Sequence, residues 1–157
     1  MQHTSHSPEQ TKKIAADFVK NLRGGEVVTL EGELGSGKTT FVQGLAEALG
    51  AQGPVRSPSF TIMNIYRVPK GNIREIVHLD CYRLKRPEEI RELGLEEWLG
   101  KKGVLVMVEW PTMVPDVAWK PTRTIRFTYG QGDDRVIEIA PDLPTGRQAA
   151  RNAVSTD

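Results

Sequence analysis

The chain carries a single cysteine, Cys81, so no internal disulfide framework is available to it. Cys81 sits in an alternating stretch where a thiol serves packing. No Cys/His spacing of a zinc site occurs, and His3 and His6 fall in a polar leader expected to be solvated. The longest aliphatic-and-Met run is Val104 to Val108, far short of the ~20 residues that cross a bilayer. The opening "MQHTSHSPEQTKK" lacks the apolar core of a signal peptide. A formal net charge of +1 supplies no overall field toward nucleic acid or a membrane surface. These lacks predict a cytoplasmic chain with no membrane partner, whose contact with RNA needs a local patch or an intermediary.

What remains is ordinary for a globular domain: 157 residues, 38% hydrophobic and 26% charged. That length supports one core. We expect a single domain over residues 1–140, followed by a disordered tail over 141–157 that lacks periodic apolar residues.

Along the chain, Ser7 is placed to cap a helix that Pro8 opens, with Gln10 completing a capping box and Ile14, Phe18 and Leu22 forming the buried stripe. "EVVTLEG" (26–32) is a strand running into a glycine loop, and residues 39–49 form a helix with Phe41, Leu45 and Leu49 on one face. Strands are predicted over 62–68, 74–84 and 103–111, and a helix over 86–100. "TRTIRFTY" and "RVIEI", joined by "GQGDD", read as an antiparallel hairpin. Interleaved strands and helices imply an α/β, three-layer P-loop NTPase fold. Its central sheet is expected to be mainly parallel, with an antiparallel hairpin at one edge.

"EGELGSGKTT" (31–40) fits G-x-x-x-x-G-K-[ST], and the flanking strand and helix supply the context that pattern requires. Its glycines let backbone N–H groups converge on phosphate oxygens, and the following helix adds its positive end. The nucleotide-binding candidates in this loop are Glu33, Leu34, Gly35, Ser36, Gly37, Lys38, Thr39 and Thr40. Lys38 is assigned to the β- and γ-phosphates and Thr39 to Mg²⁺. Glu109 ends an apolar strand, which delivers a carboxylate to the sheet edge as the second Mg²⁺ ligand. Asp80 in "HLDCYRL" is the candidate to position water, act as general base or bind Mg²⁺ through water. Thr61, in the loop after the phosphate-loop helix, is a γ-phosphate sensor candidate, and Trp110, next to Glu109, is a nucleotide-site candidate expected to pack near the cleft and report on it. The guanine-reading N-K-x-D pattern and a suitably placed D-x-x-G switch are both missing, which leaves ATP as the nucleotide by elimination, and no ABC-type "LSGGQ" signature occurs.

Taken in order, "GELGSGKTTFVQGL", "SPSFTI", "HLDCYRL" and "VEWP" resemble the TsaE (YjeE) family of small bacterial P-loop ATPases, from about Glu9 to Ile139. The resemblance implies a weak Mg²⁺-dependent ATPase that supports threonylcarbamoyladenosine modification of tRNAs reading ANN codons. It implies TsaD and TsaB as protein partners, with tRNA reached through them, and repeated turnover as the step supported. It also implies Thr39 and Glu109 as Mg²⁺ ligands, Asp80 as the acid needed for hydrolysis, Thr61 as a switch threonine and Thr11 as a neighbour of the base. Ser59 stands where the family often has Thr. Two other readings compete: a nucleotide-gated docking module without catalysis, and a small-molecule kinase using "RLKRPEEIRELG" (83–94) as a lid.

Overall fold

The computed structural model describes residues 1–58, 61–114, 117 and 119–141. Seven strands form one sheet in the order β1-β7-β6-β2-β5-β4-β3. They are β1 (Gln2–Ser5), β2 (Val27–Glu31), β3 (Met63–Arg67), β4 (Glu75–Asp80), β5 (Val104–Glu109), β6 (Arg123–Tyr129) and β7 (Arg135–Ile139). The middle strands β6, β2, β5 and β4 run parallel to one another, whereas β7 and β3 pair antiparallel with them at the two edges and β1 pairs antiparallel with β7. The expected architecture is therefore present, with one more strand than the sequence signals.

That extra strand is β1. The polar leader is not simply solvated: Gln2 to Ser5 pair with Arg135 to Glu138 and close the edge outside the hairpin. His6 bonds Asp134 at 2.8 Å.

Helices α1 (Pro8–Val19) and α2 (Lys38–Leu49) cover one face of the sheet. Ser7 caps α1 by accepting from the Gln10 N–H, while the Gln10 side chain accepts from the His6 N–H, one residue earlier than a standard capping box. Phe18 and Leu22 are buried as the spacing predicts, and Ile14 is half-buried beside them. Phe41 bridges the layers, its ring centroid 5.7 Å from Phe18 on α1 and 5.5 Å from Phe127 on β6. Each such fully buried aromatic contributes on the order of 2 kcal/mol of transfer free energy.

The opposite face is covered differently. The predicted helix over 86–100 is reduced to α3 (Glu88–Glu92) and a 3₁₀ turn at Leu95–Glu97. Gly94, at φ 68°, turns the backbone left-handed and ends α3. Ile90 and Leu95 still reach the core, where they pack with Val77, Leu79, Val106 and Val108. Strand β5 is buried at every position from Val104 to Glu109, as a strand covered on both faces must be. The tail from 142 onward, and Ser59 with Phe60, lie outside the described residues.

Candidate functional site

Alternation along β4 and β5 decides where the two acids point. Ile76 pairs with Leu105 and His78 with Met107, and Ile76, Leu105 and Met107 pack on the α1–α2 face. Asp80 and Glu109 are the next partners on that ladder, so both carboxylates emerge on the same face, at the C-terminal ends of adjacent parallel strands. β2 lies on the other side of β5 and hands its chain, through the glycine loop, to the first turn of α2. Loop and acids are thus gathered at one sheet edge by strand order alone, where ligands bind in open α/β sheets.

The loop is seated firmly on the sheet. Gly32 adopts φ +155°, and a Cβ there would stand 2.6 Å from the Phe127 carbonyl oxygen and 2.7 Å from Ser36 Oγ. Only glycine fits this approach. Farther round, the Tyr129 hydroxyl donates to the Leu34 carbonyl and Arg135 Nε donates to the Gly35 carbonyl at 3.2 Å. The hairpin of β6 and β7 therefore braces the loop from behind.

Lys38, 5% exposed, turns back into the loop. Its ammonium donates to the carbonyls of Gly32 at 2.5 Å and Glu33 at 2.9 Å. It also lies 4.4 Å from the centroid of the Trp110 ring. Burial pulls the Lys38 pKa below the usual lysine value, opposed by the charges of Glu109, Asp80 and Glu33. Trp110 holds a left-handed backbone, φ 56°, and stacks against Tyr82 with centroids 4.9 Å apart. A tryptophan in that region stores strain of the kind found at binding sites.

Glu109 is 2% exposed and accepts from the Thr39 hydroxyl at 3.1 Å. The same oxygen, Oε1, lies 3.2 Å from His78 Nε2. His78 is fully buried, and its Nδ1 has no hydrogen-bond partner. Asp80 accepts from the Tyr82 N–H at 3.0 Å through Oδ1. Burial raises its pKa above the ordinary carboxylate value; the Tyr82 N–H opposes that shift, and the negative charge of Glu109 adds to it. The neighbouring Cys81 thiol is pushed up to about 12 by burial first and then by Asp80 and Glu109, so it is not a nucleophile at neutral pH.

A cavity of about 210 Å³ opens among these groups and is lined by Lys38, Thr39, Thr40, Asp80, Glu109 and Trp110. Leu34, Gly35 and Gly37 complete it from the loop, and Ser57 joins from the segment after α2. Ser57 was not singled out by its sequence context. Thr61 lies outside this cavity, where its hydroxyl donates to Asn64 Oδ1 at 2.9 Å. Thr11 lies in an adjoining cavity of about 370 Å³ that shares Gly35, Gly37 and Thr40 with the first. Glu33 and Ser36 shape the loop from within: the Ser36 N–H donates to the Glu33 carbonyl at 3.1 Å. Among the described residues, no group of three or more His, Cys, Asp or Glu is gathered to hold a metal on its own. One hydroxyl and one carboxylate, Thr39 and Glu109, are instead oxygen donors that would suit a hard cation such as Mg²⁺.

A strand, a glycine loop and a helix, with acids at the ends of neighbouring parallel strands, define a protein of the P-loop nucleotide-binding class. The family model "Threonylcarbamoyl adenosine biosynthesis protein TsaE" matches residues 5–137. The chain belongs to the TsaE family of tRNA threonylcarbamoyladenosine biosynthesis. It is 36% identical over 138 residues to the TsaE protein of Rickettsia prowazekii, covering 87% of this chain and 92% of that one. It is 41% identical over 131 residues to that of Bacillus subtilis, covering 83% and 79%. Among solved structures it resembles the crystal structure of Bacillus subtilis YdiB, with a TM-score of 0.72 and 31% identity over 98% of this chain and 92% of that one.

Proposed function

We propose that the protein is a weak Mg²⁺-dependent ATPase that works with the TsaD and TsaB subunits and supports repeated rounds of tRNA threonylcarbamoylation, reaching tRNA through that complex. The observation that carries this reading is the convergence of Lys38, Thr39, Asp80 and Glu109 on one cavity at the end of the parallel strands.

In this reading Lys38 leaves the carbonyls of Gly32 and Glu33 to hold the β- and γ-phosphates, and the N–H groups of Gly35 to Thr40 bind the phosphate oxygens. Thr39 and Glu109 would hold Mg²⁺, which would neutralise phosphate charge when bound. Asp80, at the end of β4 beside Glu109, orients and deprotonates the attacking water. Trp110 covers the phosphate side of the cleft, and Thr11 lines the base side. Thr61 acts as the switch threonine, exchanging Asn64 for the nucleotide. A kinase lid over 83–94 is disfavoured because Leu84 and Ile90 of that segment are buried in the core.

The deciding experiment reconstitutes modification with TsaB, TsaD, tRNA and threonylcarbamoyl-adenylate, comparing one turnover with many. We expect omission of this protein to leave the first round intact and to stop later ones. Asp80→Ala should bind nucleotide yet behave as if the protein were omitted. Full multiple-turnover yield with Asp80→Ala would convert the protein into a nucleotide-gated docking module.

A further inference from the structure

We propose that Ser5 and Thr11 set the base preference of the nucleotide cleft by making the Thr11 hydroxyl an obligate hydrogen-bond acceptor toward the base. The proposal rests on the nucleotide reading above and adds to it the chemical basis of discrimination among purines.

The cavity of about 370 Å³ lies between the start of α1 and the turn of the β6–β7 hairpin. It shares Gly35, Gly37 and Thr40 with the cavity that holds Lys38 and Glu109. A nucleotide whose phosphates occupy the second therefore extends its ribose and base into the first. Two hydroxyl-bearing residues that line that cavity are almost wholly buried, Ser5 at 1% exposure and Thr11 at 3%. Their oxygens lie 2.7 Å apart.

The direction of that bond is fixed by a third group. Ser5 Oγ lies 2.8 Å from the Ser7 carbonyl, which can only accept. Each hydroxyl has one proton. The Ser5 proton goes to Ser7, so the bond between the two hydroxyls takes its proton from Thr11. The Ser7 carbonyl is itself held by the Thr11 N–H at 3.1 Å, so the first turn of α1 fixes the relay. Thr11 Oγ1 is left with lone pairs alone to offer a ligand.

A base that presents a donor to Thr11 completes the bond, as the exocyclic amino group of a 6-aminopurine does. A 6-oxopurine in the same pose sets a lone pair against a lone pair and leaves both unsatisfied. Thr11 is thereby the group that touches the base, and Ser5 is a positioning residue that acts through it.

The test compares ADP with IDP in the presence of Mg²⁺, by calorimetric titration of the full chain. We expect ADP to bind on the order of tenfold more tightly, about 1.4 kcal/mol. Ser5→Ala removes the acceptor for the Thr11 proton and frees that hydroxyl to donate, so the affinity ratio should fall toward one, chiefly through gain on IDP. Thr11→Val removes the hydroxyl at nearly constant shape, and the ratio should fall toward one through loss on ADP. Because the readout is a ratio, a general weakening of the fold does not move it. Equal affinities in the unaltered chain, or an undiminished preference in both variants, would overturn the proposal and leave the nucleotide reading standing. Failure of the unaltered chain to bind either nucleotide would overturn both.

Discussion

The Thr39 hydroxyl donates to Glu109 Oε1 at 3.1 Å, joining the first turn of α2 to the end of β5 across 70 residues of sequence. That bond aligns the two oxygens assigned to Mg²⁺ before any ion arrives. Thr39→Ala and Glu109→Gln should each raise the Mg²⁺ concentration needed for tight ADP binding by at least about tenfold. The double variant should be little worse than the poorer single one, because residues in contact are not additive. Titrating Mg²⁺ at fixed ADP measures all three; independent, additive losses would show that the pair does not share an ion.

Asp80 lies beside Glu109 in a buried setting, and its proton is held to higher pH in the folded chain than in the unfolded one. A group shifted this way contributes stability below the ordinary carboxylate pKa, and the contribution is lost as pH rises through the raised folded value. Asp80→Asn keeps an oxygen for the Tyr82 N–H and removes the charge. We expect it to stabilise the nucleotide-free protein by about 1 kcal/mol at neutral pH, with the gain shrinking in acid, while ATP turnover falls at least about a hundredfold. Thermal unfolding between pH 4 and 8 checks the first part and a phosphate-release assay the second. A stability gain that grows in acid would contradict the assignment.

Lys38→Ala should lose nucleotide binding while remaining folded, because the ammonium it removes is held by carbonyls of its own loop. Circular dichroism and an ADP titration separate the two properties. Retained affinity within about threefold would deny Lys38 its phosphate role.

The Trp110 ring lies 4.4 Å from the Lys38 ammonium, so moving that charge to a phosphate should change its fluorescence. Trp98 and Trp119 do not line the cavity that holds Lys38 and should not respond. We expect Mg²⁺ and ADP to alter the emission of the unaltered chain and to leave that of Trp110→Phe unchanged. A response that survives in Trp110→Phe would place the reporter elsewhere.

Helices α1 and α2 touch at Gly44, where an added Cβ would stand 2.5 Å from the Lys12 Cα and 2.8 Å from the Lys12 carbonyl oxygen. Both are backbone atoms and cannot swing aside. Gly44→Ala should therefore cost on the order of 1–3 kcal/mol despite its better helix propensity. The urea midpoint measures it, and an unchanged midpoint would mean that the helices separate freely.

The phosphate loop, β5 and the position of Glu109 at a strand end could be read from the chain because local pattern specifies them, whereas the pairing of Asp80 with Glu109 comes from the strand order. A glycine motif needs its flanking strand and helix, and an apolar strand ending in an acid points to a sheet edge. β1 escaped that reading because "QHTS" has no apolar alternation; its pairing with β7 is fixed by a neighbour more than a hundred residues away. The helix over 86–100 was overextended because its apolar spacing continues across Gly94, while the backbone there turns left-handed. Ser57, Tyr129 and Arg135 reach the loop only through tertiary contact, so no spacing in the sequence marks them.

The pairing of β1 with β7 has a consequence for biosynthesis. Ser5 and Thr11 emerge early from the ribosome, whereas Arg135, which faces them across the larger cavity, is made more than a hundred residues later. A nascent chain that has already formed its glycine loop still lacks one wall of the cleft. In the nucleotide reading proposed above, tight binding is therefore expected only once β7 has docked.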